Sequence, residues 1–425
     1  MNIQVIITFI DFLLWLIIAA NVVYVLFFAL SSLLPKKTHL PSAILRPFGC
    51  KRTELELRHQ TSGIRHQTSF LVLIPAYHED TVIINTVESF LQQEYPKDLY
   101  RLCVISDHMA AITNEKLAAF PITLLQPTFE NSSKAKALQY AVSYVRHQTS
   151  DIYDFVVILD ADNIVTTDLL SRLSQIAHPD IAIQCHRTAK NSDNDIAALD
   201  ALSEEINNSI FRKGHNRIGM SSALIGSGMC FEYDWFKANV TKLNTAVEDR
   251  ELEALLMKQG IHIHYAEEIL VMDEKVYNSD NFQRQRLRWM TGQVQALFLM
   301  LPYIPRAIIT GNINYIDKTI QQTLIPRSIL LVFIPLLCVI ATASTYIFPL
   351  PSSIIYFPSS FFHLKWWGLL IIICLALLAA TPKSLRHLFI SKKLQTLPLL
   401  VWKMLQNFTS IDHKNRDFIH TTHNK

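Results

Sequence analysis

Phe155–Asn163 reads FVVILDADN, five consecutive apolar residues and then two aspartates separated by one alanine. A short, unbroken apolar run suits a strand buried on both faces of a mostly parallel sheet, because helices cover both sides of such a sheet. Outward from it the same kind of run recurs: FLVLI at Phe70–Ile74, LCVIS at Leu102–Ser106, ITLLQ at Ile122–Gln126 and IAIQC at Ile181–Cys185. Helical patterns over Thr81–Gln93 and Lys134–Val145 lie between these runs. Strand–helix alternation from Phe70 to about Gly292 predicts an α/β domain.

In open α/β sheets ligands bind beyond the carboxyl ends of the strands. Glu79 and Asp80 follow the first apolar run, Asp107 the second, and Asp160 and Asp162 the run at Phe155. Two aspartates one residue apart can both face a hard divalent cation if the chain leaves the strand between them. Mg2+ or Mn2+ suits such all-oxygen ligation. The same D-x-D also occurs in ordinary solvated turns, so position carries the weight.

Further on, TAVEDRELEALLMKQG (Thr245–Gly260) has capping-box spacing between Thr245 and Glu248, ahead of apolar helical positions and a terminal glycine. Asp249 falls in the first turn, where the helix dipole favours a carboxylate. A charge-matched helix start alone satisfies this spacing. NFQRQRLRWMTGQ (Asn281–Gln293) forms a helix after a cap at Ser279 or Asp280, with Gln285, Arg288 and Trp289 at i, i+3 and i+4 on one face. An amide, a guanidinium fork and an indole suit a diphosphate and a sugar ring. Arg286 points elsewhere and reads as a basic anchor. His262 and His264 read as strand positions.

The chain has 425 residues, 50% of them hydrophobic, and a net charge of only +3, which excludes a nucleic-acid coat protein. Six scattered cysteines without a C-x-x-C pair imply reduced thiols. Only ten glycines occur, with no phosphate-binding glycine loop, and four of them cluster between Gly214 and Gly228. RHQTS repeats at Arg58, Arg65 and Arg146 with irregular spacing, as polar loop filler.

Apolar stretches long enough to cross a bilayer run over Ile3–Leu34 and Leu324–Pro349, with a shorter third over Trp366–Ala380. Asp11, inside the first, reads as a headgroup-boundary position. Lys36, Lys37, Arg46, Lys51 and Arg52 follow the first span, and Lys383, Arg386, Lys392 and Lys393 the third. The positive-inside rule therefore puts the N-terminus outside and the middle of the chain in the cytosol. The expected division is a transmembrane helix over 1–34, a linker over 35–69, the α/β domain over 70–300, a membrane region over 301–395, and a C-terminal segment over 396–425. Within the last, amphipathic Leu397–Phe408 lies on the membrane surface or packs on the protein.

Taken in order, PAYHED, SDH, KAKAL, DAD, GSG, VED and QRLRW resemble the motifs of the inverting family-2 glycosyltransferases, over Phe70–Gly292. The resemblance is to their membrane-embedded branch, which includes cellulose, chitin and hyaluronan synthases. It implies a GT-A-like nucleotide-sugar-binding domain with transmembrane helices before and after it, in a bacterial inner or plasma membrane. Glu79 and Asp107 match acids that hold the donor's nucleoside, and Lys136 a lysine near the donor, with Lys134 competing for the role. Asp160 and Asp162 match the pair that meets the diphosphate through Mg2+ or Mn2+. Gly226, Ser227 and Gly228 match an acceptor-lining segment, with Glu248 beside them. Asp249 matches the catalytic base, and Gln285, Arg288 and Trp289 the group that holds diphosphate and acceptor sugar.

Two departures concern the nucleoside end: His78 stands where the family usually has asparagine, and SDH lacks the small polar run that commonly follows its aspartate. The implied partners are a nucleotide-sugar donor, a glycan or lipid-linked acceptor and the bilayer, with no nucleic acid. Growth of a β-linked glycan and a single transfer to a lipid-linked or oligosaccharide acceptor both remain open, as does a non-enzymatic scaffold. Few ionisable residues lie in the apolar spans, which argues against an ion-coupled transporter.

Overall fold

The computed structural model describes residues 3–36, 67–148, 153–245, 247–347, 360–407 and 410. Most of the 35–69 linker, with the first RHQTS copy and the start of the second, lies outside them, as does the proline-rich connection after the second span.

The apolar runs form one sheet. Strands β1 (Phe70–Tyr77), β2 (Tyr100–Asp107), β3 (Thr123–Leu125), β4 (Phe155–Ile158), β5 (Ile164–Val165), β6 (Ile181–Ala189), β7 (Met229–Glu232) and β8 (His262–Asp273) lie in the order β3-β2-β1-β4-β7-β6-β8-β5. β1 to β4 pair in parallel, as do β6 and β8, whereas β7 runs antiparallel to both of its neighbours. Successive side chains of a strand point to opposite faces. Leu71 and Leu73 therefore enter one buried core while Phe70, Val72 and Ile74 enter the other.

Helices α2 (Ile83–Leu91), α3 (Ala111–Ala118) and α5 (Leu169–Ile176) cover the face of Phe70. Helix α4 (Lys134–Gln148) covers the other face, together with α7 (Tyr233–Val240) and α8 (Glu248–Lys258). Both faces are thus dry, which is why the strands read as unbroken apolar runs. Helix α6 (Asp195–Asn207) runs into a π-helical turn, Asn208–Gly214. Helix α9 (Ser279–Met300) leads through α10 (Ile304–Ile309) and α11 (Ile313–Thr323) to the membrane helices.

Among the described residues, three helices are long and apolar enough to cross a membrane. Their spans are Phe9–Ser31 in α1 (Ile3–Ser31), Arg327–Ser344 in α12 (Arg327–Ile347) and His363–Ala380 in α13 (Ser360–Ala380). Asp11 does more than sit at a boundary, because its carboxylate takes Lys365 Nζ and, at 3.0 Å, Trp366 Nε1, clasping α1 to α13. Helix α1 is also keyed into the α/β domain. Phe28 stacks on His215 with ring centroids 3.5 Å apart, and Tyr24 Oη donates to Asp317 at 2.7 Å. A Cβ at Gly214 would lie 2.2 Å from the Phe28 carbonyl oxygen, so glycine permits this crossing.

Of the two placements open for the C-terminal segment, α14 (Leu397–Asn407) takes the protein. Leu400 and Met404 pack with Phe282, Met290 and Ile329, and Lys403 pairs with Asp280 at 2.9 Å.

Candidate active site

Parallel pairing brings the carboxyl ends of β1 and β2 level, with Tyr77 opposite Asp107. The next residue of each strand, His78 and His108, has a positive φ of 54° and 56°. Left-handed backbone favours glycine, asparagine, aspartate and histidine. His78 and His108 are thus residue types that this backbone accepts. Buried Asp107 pairs with His108 Nδ1 at 2.6 Å, and Glu79 lines the same cavity.

β4 ends at Ile158, so the chain has left the strand before it reaches either aspartate, and a turn carries it from Asp160 to Asp162. The Asp160 N–H donates to Asn163 Oδ1 at 2.9 Å and to Ser227 Oγ at 3.2 Å. Asp162 is aimed by two bonds, from Asn163 Nδ2 and from the Glu274 N–H, each at 3.0 Å.

Lys134, not Lys136, reaches this cluster. Its Nζ lies 2.5 Å from Asp160 Oδ1, 2.5 Å from the Gly226 carbonyl and 3.3 Å from Glu248 Oε1. Burial works against its charge, but Asp160 and Glu248 more than offset it and raise its pKa. Lys136 lies two residues on, turned about 200° around the helix, and its Nζ donates at 2.5 Å to the Asn131 carbonyl on the exposed side.

The GSG turn divides its labour. Gly226, at φ +83°, lines the cavity; a Cβ there would sit 3.7 Å from Asp249 Oδ2. Ser227 and Gly228 support it from beneath instead of lining it. Ser227 Oγ donates to Asn163 Oδ1, and Gly228, at φ +64°, packs on Val271 and Cys185.

The expected capping box does not form. Helix α8 begins at Glu248 after Val247, and Thr245 Oγ1 accepts from the Val247 N–H at 3.3 Å. Glu251 reaches back to the N–H groups of Asn244 and Thr245 instead. This leaves Glu248 and Asp249 in the first turn, both lining the cavity. Burial pushes the Glu248 carboxyl up to about 7, against the pull of Lys134, with Asp249 and Asp160 adding to the rise.

Helix α9 closes over this edge, capped by Asn278 Oδ1, which accepts from the Asn281 N–H. Gln285, Arg288 and Trp289 all line the cavity. A Cβ at Gly292 would lie 2.3 Å from Val247 Cγ1, so glycine lets α9 press on the start of α8. Arg286 is no surface anchor. It is buried against Asp200, with its guanidinium 4.1 Å from the Trp289 ring and 4.7 Å from that of Phe282.

The resulting cavity holds about 520 Å³, within the usual range for small-molecule sites. A second charged group unforeseen in the sequence also lines it. Glu204 sits between Arg187 Nη2 at 3.1 Å and Arg212 Nη1 at 3.4 Å, and Lys275 lies 2.9 Å from Asp273. Burial alone would raise the Glu204 pKa, but Arg187, Lys275 and Arg212 hold it down at about 2. The available signal was Asp200 and Glu204 four residues apart inside an Ala/Leu helix. His262 and His264 are strand residues of β8, and burial lowers their pKa values to about 3 and 4. Among the described residues no group of three or more His, Cys, Asp or Glu is arranged to hold a metal by itself.

The chain is similar to several known proteins. An N-acetylglucosaminyltransferase of Rhizobium meliloti (strain 1021) is 24% identical over 341 residues, which cover 74% of this chain and 71% of that one. Among solved structures, the mannosyltransferase PcManGT of Pyrobaculum calidifontis, in complex with GDP-Man and Mn2+, is 15% identical. It aligns with a TM-score of 0.45 over 74% of this chain and 88% of its own. S. aureus TarS 1–349 in complex with UDP-GlcNAc is 12% identical, with a TM-score of 0.39 over 81% of this chain and 90% of that one. The sheet and its covering helices form a GT-A-like α/β fold. The profile described as "Glycosyltransferase like family 2" matches residues 66–292, more than half of the chain, which therefore belongs to this glycosyltransferase family.

Proposed function

We propose that this glycosyltransferase is a membrane-embedded, inverting, metal-dependent enzyme that moves a sugar from a nucleoside-diphosphate donor to a β-linked glycan at the cytosolic face. The observation that carries it is the convergence on one cavity of Asp160 and Asp162, Asp249, and Gln285 with Arg288 and Trp289. A UDP-sugar is the expected donor, and UDP-GlcNAc the first to try, because a relative over 74% of the chain is an N-acetylglucosaminyltransferase.

A sugar hydroxyl is a poor nucleophile, so an ionised carboxylate must take its proton. Asp249 is the carboxylate available for this, its Oδ1 held by the Arg250 N–H at 2.8 Å. The acceptor oxygen bonds to the donor's anomeric carbon, the bond from that carbon to the diphosphate oxygen breaks, and the electron pair leaves with the nucleoside diphosphate. Attack opposite the leaving group turns an α-linked donor into a β-linked product. Arg288 stabilises the departing diphosphate, and Trp289 supplies a flat apolar face for the acceptor ring.

Asp160 and the hydrogen-bonded Asp162 are hard-oxygen donors that would hold Mg2+ or Mn2+. When bound, the cation neutralises charge that develops on the leaving group. Basic residues after the first and third spans support a cytosolic position for the domain.

The test is Asp249→Asn, assayed with labelled UDP-GlcNAc and purified protein in lipid. Transfer should fall by about 10³-fold while UDP binding persists. Full activity in this variant would remove Asp249 from the chemistry. Sizing the products separates repeated addition, which gives a ladder, from a single transfer.

A further inference from the structure

The cavity does not end at Trp289. It continues toward the membrane helices, where its walls change from carboxylates and guanidinium groups to Leu202, Leu331, Leu377, Leu397 and Met404. Leu331 and Leu377 belong to candidate spans, so this arm reaches into the part of the protein that lipid surrounds. A saccharide chain threaded there would leave its hydroxyl groups without hydrogen-bond partners, whereas a hydrocarbon chain would lose nothing and shed water.

One cation stands where the two environments meet. Gln293, one turn beyond Trp289 on α9, donates to the carbonyls of Gln322 and Leu324 at 3.0 and 2.9 Å, tying α9 to the approach of α12. Arg327 opens α12 and lines the cavity. Its Nη2 donates to Asn207 Oδ1 at 2.6 Å and to the Ser203 carbonyl at 3.2 Å, while its Nη1 is buried with no partner. Among the described residues it forms no ion pair, unlike Arg187, Arg212 and Arg286. A buried guanidinium edge without an acid calls for an anion, and phosphate fits that fork.

We infer that the acceptor glycan is carried on a phosphate-linked lipid, with its hydrocarbon tail in this arm, its phosphate at Arg327, and its sugar under Trp289 facing Asp249. This rests on the transferase reading and names the class of its second substrate. The transfer step is unchanged: the lipid-borne sugar hydroxyl gives its proton to Asp249 and bonds to the donor's anomeric carbon, and the nucleoside diphosphate leaves with the electron pair.

Binding of a radiolabelled long-chain isoprenyl phosphate to the full chain in phosphatidylcholine nanodiscs tests it without needing turnover. Saturable binding is expected, weakened about tenfold or more by Arg327→Ala, as for loss of a hydrogen bond to a charged group. Leu331→Trp and, from another wall, Met404→Trp should abolish it. UDP binding, retained in each variant, reports an intact fold. Unchanged isoprenyl phosphate binding in Arg327→Ala and in both tryptophan variants would overturn the assignment. So would displacement of the probe by phosphatidylglycerol, which would mark a site for bulk anionic lipid. Asp249→Asn should bind the probe normally, so failure of the proposed chemistry and failure of the lipid arm give different results.

Discussion

Two groups of charged side chains share one cavity and are built on opposite plans. At the sheet edge four carboxylates, Asp160, Asp162, Glu248 and Asp249, line the cavity, and Lys134 pairs with two of them, Asp160 and Glu248. Deeper in, Glu204 and Asp273 are matched by Arg187, Arg212 and Lys275, and Asp200 by Arg286. The inner group satisfies itself, as buried charges must. The edge group gathers negative charge where an anionic diphosphate is proposed to bind, which suits the divalent cation proposed there. The first arrangement is what holding a fold requires, and the second is what holding a ligand requires.

The largest expected effect breaks the inner group. Glu204→Ala strands three buried cations and should cost about 3–5 kcal/mol, visible as a large drop in melting temperature in detergent. Asp249→Asn, in the edge group, should change stability by about 0.5 kcal/mol or less and leave that temperature nearly unmoved. Equal losses in the two variants would erase the distinction. Next comes Arg288→Ala, which should lower transfer by about 10²–10³-fold, as for other removed transition-state donors. Retained activity would show that the diphosphate is stabilised elsewhere.

Lys134→Met and Lys136→Met sharpen the picture inside the edge group. The first removes the cation shared by Asp160 and Glu248 and should reduce transfer at least about tenfold, while the second should be silent within about 0.5 kcal/mol of stability. A silent Lys134 and a damaging Lys136 would reverse the placement of the donor lysine.

In the pH dependence the two groups should differ in sign. Glu248 titrates at about 7, above its ordinary 4.5, so its contribution to stability is complete below pH 4.5 and disappears as pH rises through 7. Glu204 titrates at about 2, so its contribution is complete above pH 4.5 and is lost as pH falls toward 2. His262 and His264, lowered to about 3 and 4, act in the opposite direction up to about pH 6.5, so the Glu248 contribution is read by difference. Glu248→Gln should shift the slope of melting temperature against pH, from pH 5 to 8 in the ligand-free protein, upward relative to the unsubstituted chain. An unchanged slope would rule out Glu248 as a contributor.

Legibility followed the range of the forces involved. The strands at Phe70, Tyr100, Phe155 and Ile181 were visible because burial on both faces demands unbroken apolar runs. Acids beyond those runs were visible for the same reason, since a strand's end fixes where the next side chain emerges. Lys134 and Lys136 could not be separated, because both stand in KAKAL and only the rotation of α4 against the sheet decides which one meets Asp160. Arg286 was misread on similar grounds. Its basic neighbours suggested a surface, and its partner, Asp200, lies 86 residues away. Thr245 had the right spacing for a cap, but Glu251 satisfied the backbone there and moved the helix start.

By itself, the sequence determined the α/β domain, its three flanking apolar helices, and the acid-bearing ends of the strands, because periodicity and hydrophobic length are local properties. Tertiary structure alone decided which lysine meets the cluster, that Arg187, Arg212 and Arg286 are paired with acids, and that the buried Arg327 forms no ion pair among the described residues. It also decided that the cavity runs on into an aliphatic arm among the membrane helices. Those outcomes depend on pairing between residues far apart in the chain, where burial makes an unmatched charge costly and geometry chooses the match.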